Sequence, residues 1–442
     1  ESSAASDVYK RQAGSVVGKD LNTNSQRQFL GLPMILLWGY VAVAIFMTGD
    51  GIEQAFLSKY IRMLGFDSGQ AGNVLTIYGL VVAIASWMSG VLAEIFSPRR
   101  VMIFAFIMWI IFHVGFLVLG LEQHSYPMML IMYGIRGLAY PMFIYSFVVW
   151  ITYSAPRYKL ASAMGWFWAM YSIGIGVIGT YLPSFTIPWL GYMGTLWSSI
   201  IFIFIGGMLA MFLVKDKQGA QSEAKQLTKK EMLGEFVKGI TILRNPQVAI
   251  ACLVRIINQL SLFGLVVFMP SFFTDHVGFS MAQWLRIWGV MYIVTIFTNL
   301  FWGVVGDKIG WIRQVRWFGC IGMALSTLAF YYIPLWTGPN FWVALIAAVV
   351  FGFAVAAFVP MSAIFPTLEP ENKGAAVSIH NLSAGLSNFM GPLIARAALP
   401  LGGTRAAIWA LAIFYIIGFV LTFFMKVQQP RQTIERKVSE HD

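Results

Sequence analysis

Apolar and polar positions follow one another in long blocks along this chain, and short polar segments separate the apolar blocks. A helix that crosses a hydrocarbon core of about 30 Å needs roughly 20 apolar residues, and each block reaches that length. The pattern predicts an all-α integral membrane protein with twelve transmembrane helices, numbered helix 1 to helix 12. Their predicted ranges are 33–62, 70–93, 101–121, 127–153, 160–184, 193–214, 246–274, 281–305, 314–334, 341–366, 374–400 and 404–426.

The composition excludes other classes of protein. Hydrophobic residues make up 58% of the 442 residues and charged residues only 11%, whereas soluble domains carry about 25% charged residues. The apolar runs are continuous and do not alternate, which excludes a transmembrane β-barrel. Cys252 and Cys320 both lie in apolar stretches, so we expect them to pack and to form neither a disulfide framework nor a metal site.

The longest polar stretch between helices predicts the topology. It spans 215–245 and is basic, and its part 227–243 can form an amphipathic helix on the membrane surface. Positively charged loops stay in the cytoplasm, so six helices on either side place both termini there as well. The basic residues of this linker are Lys215, Lys217, Lys225, Lys229, Lys230, Lys238 and Arg244. The net charge of +11 is therefore attributed to orientation in a membrane and not to nucleic-acid binding.

The predicted organisation has five parts. A polar N-terminal tail, 1–32, begins with a stretch, 1–12, that shares no pattern with the rest and is interpreted as foreign to the natural protein. The remaining parts are a six-helix bundle at 33–214, the basic linker at 215–245, a second six-helix bundle at 246–427 and a tail at 428–442.

Two loops at equivalent places in the halves repeat one motif, with Gly90 and Gly303, and likewise Glu94 and Asp307, lying 213 positions apart. The motif residues are Gly90, Glu94, Arg99 and Arg100 after helix 2, and Gly303, Asp307, Lys308 and Gly310 after helix 8. Both loops resemble the loop motif of the major facilitator superfamily, although the first has Ile95 and Ser97 where a basic residue and glycine are expected. The resemblance implies that the acid caps a neighbouring helix and pairs with loop arginines, which latches one alternating-access state. The alternative is a plain turn with orienting charges.

Charged residues inside a bilayer are costly and so are candidates for function. In helix 1, Asp50, Glu53 and Gln54 share one helix face, and helix 4 contributes Arg136. We interpret the two acids and Arg136 as a charge cluster in a central cavity, where protonation can follow conformation and couple protons to transport. The alternative is a static salt bridge between helices 1 and 4.

Polar side chains in helices 7 and 11 predict a substrate site. Arg255, Asn258 and Gln259 lie in helix 7, and Asn381 and Asn388 share one face of helix 11. Amides present paired donors and acceptors that suit vicinal hydroxyl groups. The alternatives are that Arg255 reaches the water interface and that the helix 11 residues only join helices, at about 0.6 kcal/mol per hydrogen bond. His380 is assigned to packing, without a proton-relay role.

Aromatic residues complete the predicted substrate site, which also includes Asp50, Glu53, Gln54 and Arg136. Tyr140 in helix 4 and Trp166 in helix 5 are included, with Trp168 and Tyr171 as further candidates for stacking on the apolar face of a polyhydroxylated substrate. The alternative is that they belong to the core or face lipid. There is no Walker loop, zinc spacing or nucleophile elbow, so the sequence predicts neither an enzyme nor a cofactor or metal site.

Longer stretches of both halves resemble the polyol permeases, the bacterial transporters of ribitol and arabinitol. The similar stretches are 46–53, 133–137, 165–169, 254–258, 316–323 and 365–385, within a resemblance that covers about 29–428. It implies an importer of the bacterial inner membrane that carries pentitols such as ribitol or D-arabinitol by proton symport. We separately expect the chain to act as a monomer. Its partners would be the polyol, the proton and the bilayer, without nucleic acid.

Two other functions stay open. One is uptake of an anionic sugar acid or another small carboxylate, in which Arg136 and Arg255 would clamp the carboxylate. The other is a membrane sensor that does not transport. An added signalling domain would indicate a sensor, and the sequence shows no such domain.

Overall fold

The computed structural model describes residues 27–53, 56–66, 68–215, 229–265, 268–269 and 272–430. Within this part the chain is helical except for short connections and one hairpin, in which Gln28–Phe29 pairs antiparallel with Leu32–Pro33. The predicted foreign stretch 1–12, the predicted site residue Gln54 and much of the basic linker lie outside the described residues.

Six helices form the first half, and several of them are interrupted. Helix 5 runs on to Gly191, whose φ of +73° turns the chain into helix 6. The bounds are Leu37–Gly51 and Leu57–Met63 (helix 1), Ser68–Phe96 (helix 2), Pro98–Gly115 with a π-helical end Phe116–Glu122 (helix 3), Tyr126–Arg136 and Ala139–Ser154 (helix 4), Leu160–Ser172 with π-helical Ile173–Ile178 (helix 5), and Gly179–Phe212, which contains the end of helix 5 and all of helix 6.

A short helix from the basic linker, Lys229–Thr241, precedes the second half and is called the linker helix below. Helices 11 and 12 form one helical run that is broken at Gly402 and Gly403. The bounds are Pro246–Asn258, Leu260–Gly264 and π-helical Phe272–Val277 (helix 7), Met281–Ile309 (helix 8), Trp311–Gln314, π-helical Val315–Ile321 and Gly322–Thr337 (helix 9), Phe341–Ala356 and Met361–Leu368 (helix 10), and Lys373–Thr422 (helices 11 and 12).

The architecture of twelve helices in two halves confirms the predicted fold class. Among the described residues, eleven helical segments are long and apolar enough to cross a membrane, so this is a multi-pass membrane protein. In the run of helices 11 and 12, the segment that qualifies is Ala397–Thr422. Helix 11 falls short because it carries polar residues, which are Ser378, His380, Asn381, Ser383 and Ser387.

Helices 1, 4, 7 and 10 are each interrupted, so a break recurs in every third helix. Gly137 follows the first segment of helix 4, and Pro360 precedes the second segment of helix 10. Gln259 separates the first two segments of helix 7 with a φ of −105°. Interrupted helices leave backbone groups without helical partners, which membrane proteins tolerate only where the groups are buried in protein or line a cavity. The four breaks therefore indicate that the candidate functional site lies at the centre of the bundle.

The two halves contact each other through helix 5 on helix 8 and helix 2 on helix 11. Both contacts depend on glycine. A Cβ added to Gly90 would lie 2.0 Å from the carbonyl oxygen of Gly374, and one added to Gly165 would lie 2.6 Å from that of Asn299. Larger residues would push the helices apart. Both contacts lie at the end of the bundle that carries the repeated loops and the linker helix, called the linker side below.

Candidate functional site

The breaks in the helices position the charged side chains. Asp50 stands one residue before the end of the first segment of helix 1, and Glu53 lies inside the break that follows. Arg136 is the last residue of the first segment of helix 4, and Asn258 that of helix 7. All four side chains are buried. The fold thus places these four residues, which come from three different helices, at equivalent positions near the centre of the bundle.

In the first half, Asp50, Glu53 and Arg136 form the predicted charge cluster. The Arg136 guanidinium is ion-paired with Glu53 and lies 3.7 Å from Asp50 Oδ1. The Trp109 indole N–H donates to Asp50 Oδ1 at 2.8 Å, and the Tyr133 hydroxyl donates to Glu53 Oε1 at 3.3 Å. The rings of Trp109 and Tyr133 each lie 4.7 Å from the guanidinium carbon, where cation–π attraction adds to the ion pairing.

His113 of helix 3 completes this cluster and was not predicted. Its Nδ1 lies 2.7 Å from Arg136 Nη1, and its Nε2 lies 2.8 Å from the carbonyl oxygen of Leu196 in helix 6. An arginine can only donate, so Nδ1 accepts and the proton is on Nε2. The ring is therefore neutral, and it fixes the Arg136 side chain relative to helix 6.

The charges of the cluster can be balanced by one proton. Two ionised acids beside one arginine and a neutral histidine leave a net charge of −1 in a fully buried place, which is costly. Protonation of either acid removes that charge. Glu53 Oε2 has no hydrogen-bond partner, so it can carry a proton without breaking a hydrogen bond. One bound proton would therefore leave the cluster neutral.

A second buried cluster connects the two halves. Arg255 Nε donates to His380 Nε2 at 3.0 Å, and Ser362 of helix 10 lies 3.2 Å from the same nitrogen. Trp168 of helix 5, in the first half, donates its indole N–H to Ser362 Oγ at 2.8 Å. His380 Nδ1 in turn donates to Asn381 Oδ1 at 3.0 Å. The assignment of His380 to packing alone missed its place in this network, because one histidine on an apolar helix gives no sign of its partners.

Three buried polar atoms of helices 7 and 11 have no hydrogen-bond partner among the described residues. They are Arg255 Nη1, Asn258 Oδ1 and Asn381 Nδ2, and their residues are at most 6% exposed. A buried donor or acceptor that stays unpaired costs about 1–3 kcal/mol. Two buried donors and one buried acceptor without partners can form hydrogen bonds with the hydroxyl groups of a ligand.

The other predicted binding residues are placed as follows. Gln259 lies at the break of helix 7 and is partly buried, and Tyr140 is partly buried and packs against the apolar core. Asn388 is exposed. Trp166 does not join either cluster, because its indole N–H donates to the carbonyl oxygen of Leu30 in the N-terminal hairpin.

The acids of both repeated loops cap a helix of the opposite half. Glu94 Oε1 lies 2.6 Å from the backbone nitrogen of Gly374, at the start of helix 11. Asp307 Oδ2 accepts from the backbone N–H of Ser162 in helix 5 at 2.9 Å and from its hydroxyl at 2.5 Å. A carboxylate is favoured at a helix N-terminus, where backbone N–H groups are free and the dipole is positive. These contacts close the linker side.

The remaining motif residues lie around these caps. Arg99 donates to the carbonyl oxygen of Val214 at 2.5 Å, at the end of helix 6. Arg100 and Lys308 are exposed. Gly310 has a φ of +106°, a left-handed backbone that explains the glycine.

Sequence reasoning also missed Trp109 and Ser362. Trp109 and His113 are four residues apart in helix 3, so their spacing indicated a shared face, but neither carries a charge that singles it out. Within the described ranges, no group of three His, Cys, Asp or Glu residues is placed to hold a metal ion.

Comparisons with known proteins identify the family of this chain. The Major Facilitator Superfamily profile matches residues 36–317 and 251–441. The D-arabinitol transporter of Klebsiella pneumoniae is 51% identical over 92% of this chain and 96% of its own length, and the ribitol transporter of the same organism is 50% identical over 93% and 96%. The alpha-ketoglutarate permease of Bacillus subtilis is 38% identical over 93% and 94%.

Solved structures share the fold at low identity. The human organic anion transporter MFSD10 (TETRAN) has a TM-score of 0.71 and 14% identity, over 88% of this chain and 98% of that one. The proton:xylose symporter XylE has a TM-score of 0.67 and 15% identity, over 90% and 96%. As its loops and longer stretches predicted, the chain belongs to the Major Facilitator Superfamily, a family of transporters and not of enzymes, and within it to the family of the D-arabinitol and ribitol transporters.

Proposed function

We propose that this protein imports a small linear polyol, such as ribitol or D-arabinitol, by alternating access and together with a proton. The observation that carries the substrate class is the identity of 51% and 50% to transporters of these two pentitols, over more than nine-tenths of the chain. The superfamily and the interrupted helices support a carrier with a central site.

The polyol would bind at the second cluster. Its hydroxyl groups can accept from Arg255 Nη1 and Asn381 Nδ2 and donate to Asn258 Oδ1, the three atoms that lack partners. A hydroxyl group is both donor and acceptor, so a chain of hydroxyl groups can satisfy all three. We also propose a contribution from Gln259 and Tyr140, which adjoin the breaks of helices 7 and 4.

The proton would bind at Asp50 or Glu53. Arg136 holds both acids in a buried place that one proton makes neutral. Because His380 connects Arg255 to Ser362 and Trp168 across the halves, substrate bound at Arg255 would change the contact that joins the halves. The caps on Glu94 and Asp307 would then open in the alternate state.

We further propose that the protein lies in a bacterial inner membrane with both termini in the cytoplasm, so that the linker side is the inner side. The positive charge of the linker supports this orientation. A single chain is proposed to suffice, because its two halves together supply both clusters.

Uptake of a small carboxylate is the second candidate, and two observations favour it. The alpha-ketoglutarate permease is 38% identical over 93% of the chain, and the Arg255 guanidinium contacts a neutral histidine and the face of Trp168. A carboxylate substrate would find a charged partner there.

The test is uptake of labelled ribitol and D-arabinitol into proteoliposomes, with and without an inward proton gradient. Concentrative uptake that an uncoupler abolishes is expected, and 2-oxoglutarate should not compete. Asn381→Ala should raise the KM, whereas Asn388→Ala, an exposed amide of the same helix, should not. Competition by 2-oxoglutarate without polyol uptake would favour the carboxylate, and equilibration independent of the gradient would refute proton coupling.

A further inference from the structure

The linker helix, Lys229–Thr241, lies across the contact between the halves. It touches both helix 2 and helix 11. Its Phe236 packs on Trp87 of helix 2, with ring centres 6.3 Å apart, and a Cβ on Gly239 would lie 3.2 Å from Val91. Glu235 of the linker helix lines one hollow together with Glu94, whose carboxylate caps helix 11. The linker helix therefore covers one of the two contacts that close the linker side.

The linker helix packs on the last three turns of helix 2. Trp87 and Val91 precede the end of helix 2 at Phe96 by about 13 and 7 Å of helix length, at a rise of 1.5 Å per residue. Interfacial helices lie about 5–10 Å into the boundary between headgroups and acyl chains. Packing against the last turns of helix 2 suits a helix that lies at this boundary.

A second face of the linker helix is apolar and, within the described part of the chain, has no protein against it. Leu233, Val237 and Ile240 are 66%, 50% and 55% exposed. At 100° per residue they share one stripe, about 100° around the helix from the face that packs on helix 2. The opposite flank carries Gly234 and Lys238. The helix thus has one face for protein, one apolar face and one polar face, as expected at a membrane surface.

The charge of the linker identifies the surface that this stripe fits. The stretch 215–245 contains seven basic and four acidic residues, and Lys230 and Lys238 are exposed on the linker helix. Basic amphipathic helices bind anionic lipid by the combination of a buried apolar stripe and attraction to headgroups.

We propose that the linker helix binds the anionic lipid surface of the surrounding bilayer and thereby clamps helix 2 to helix 11, so that lipid charge stabilises the closed linker side. Lipid that draws the stripe into the bilayer also holds Phe236 and Gly239 on helix 2, next to the Glu94 cap. Loss of anionic lipid releases the clamp and favours opening.

The first test measures depth and needs no transported substrate, so it is independent of the proposed function. A spin label is placed at Val237→Cys or at Gly234→Cys in a Cys252→Ala/Cys320→Ala background, in vesicles of equal parts phosphatidylcholine and phosphatidylglycerol. The label at 237 should be more accessible to oxygen than to a water-soluble nickel complex. The label at 234 should be more accessible to the nickel complex than to oxygen. Equal access of the nickel complex to both positions would overturn the proposal.

The second test measures the clamp by the distance between spin labels at Phe96→Cys and Arg313→Cys, which are exposed on the linker side of opposite halves. The population with the short distance should be larger with phosphatidylglycerol than with phosphatidylcholine alone. Each lysine near an anionic surface contributes about 1 kcal/mol, so Lys238→Gln should reduce the closed-to-open ratio up to about fivefold.

Two further variants separate the clamp from simple binding. Leu233→Gln with Val237→Gln should abolish the lipid effect on the distance, whereas Gly234→Gln on the polar face should not. A distance distribution that ignores lipid charge, or that the paired glutamine variant leaves unchanged, would overturn the clamp even if the label at 237 enters the bilayer.

Discussion

The ion pairs of Arg136 offer the sharpest test of the charge cluster. Arg136→Met keeps an unbranched side chain but removes the cation from a place that is fully buried, as are Asp50 and Glu53. Two hydrogen bonds of the guanidinium, to Glu53 and His113, are lost. Each hydrogen bond to a charged group contributes about 1.5–3 kcal/mol, and breaking a buried pair costs about 3–5 kcal/mol because the other charge stays behind. We expect a loss of about 3–5 kcal/mol of unfolding free energy.

A double variant shows whether this loss comes from the stranded acid. Arg136→Met with Glu53→Gln removes the uncompensated charge, and we expect it to recover at least half of the lost stability, although transport stays absent. Unfolding by SDS in detergent micelles, followed by tryptophan fluorescence, measures both variants. Arg405→Met, at an exposed arginine, is the control and should change stability by less than about 0.5 kcal/mol. A double variant no more stable than Arg136→Met would refute the cluster as a balanced set of charges.

Three further variants test the proton site and the contacts between halves. Asp50→Asn keeps the side-chain shape but cannot ionise, so it should lose accumulation against a gradient and retain exchange; normal concentrative uptake would exclude Asp50 from coupling. Trp168→Phe removes the indole donor to Ser362, a hydrogen bond worth about 0.5–1.5 kcal/mol. It should therefore shift the ratio of open to closed states up to about tenfold, as measured by distances between labels, whereas Trp166→Phe should leave that ratio unchanged. Gly90→Ala places a Cβ 2.0 Å from the Gly374 carbonyl oxygen and should keep the linker side from closing, which alkylation of an introduced cysteine would report. Gly79→Ala, with open space around it, is the control. Equal alkylation of the two variants would contradict the close contact.

The membrane fold was predictable because the bilayer imposes a simple rule on sequence. Every segment that crosses it must be long and apolar, and each break between segments must be polar. Helix 11 shows the limit of that rule, since its Ser378, His380 and Asn381 make it too polar to qualify by hydropathy, although it packs along helix 2. The same polar residues that weakened the signal belong to the candidate site.

The charged part of the candidate site was predictable because a charge in an apolar segment stands out. Asp50, Glu53 and Arg136 were found in this way, because an ion in a membrane needs a partner. His113 and Trp109 were missed, since neither carries a charge that singles it out, and only the fold shows that they meet Arg136 and Asp50. Trp166 lies apart from both clusters, because it is two residues from Trp168 along one helix and points about 200° away from it.

The two helix caps on the linker side have a consequence for how such a chain could arise. Glu94 in the first half meets Gly374 in the second, and Asp307 in the second half meets Ser162 in the first. Asp307 follows Glu94 by 213 positions, and Gly374 follows Ser162 by 212. Each cap therefore joins the counterparts of the residues in the other cap, with the two halves exchanged. That reciprocity is the signature of a two-fold homodimer interface. A half-length ancestor paired with its own copy would have formed both caps at once, and fusing two such genes would have left the interface intact.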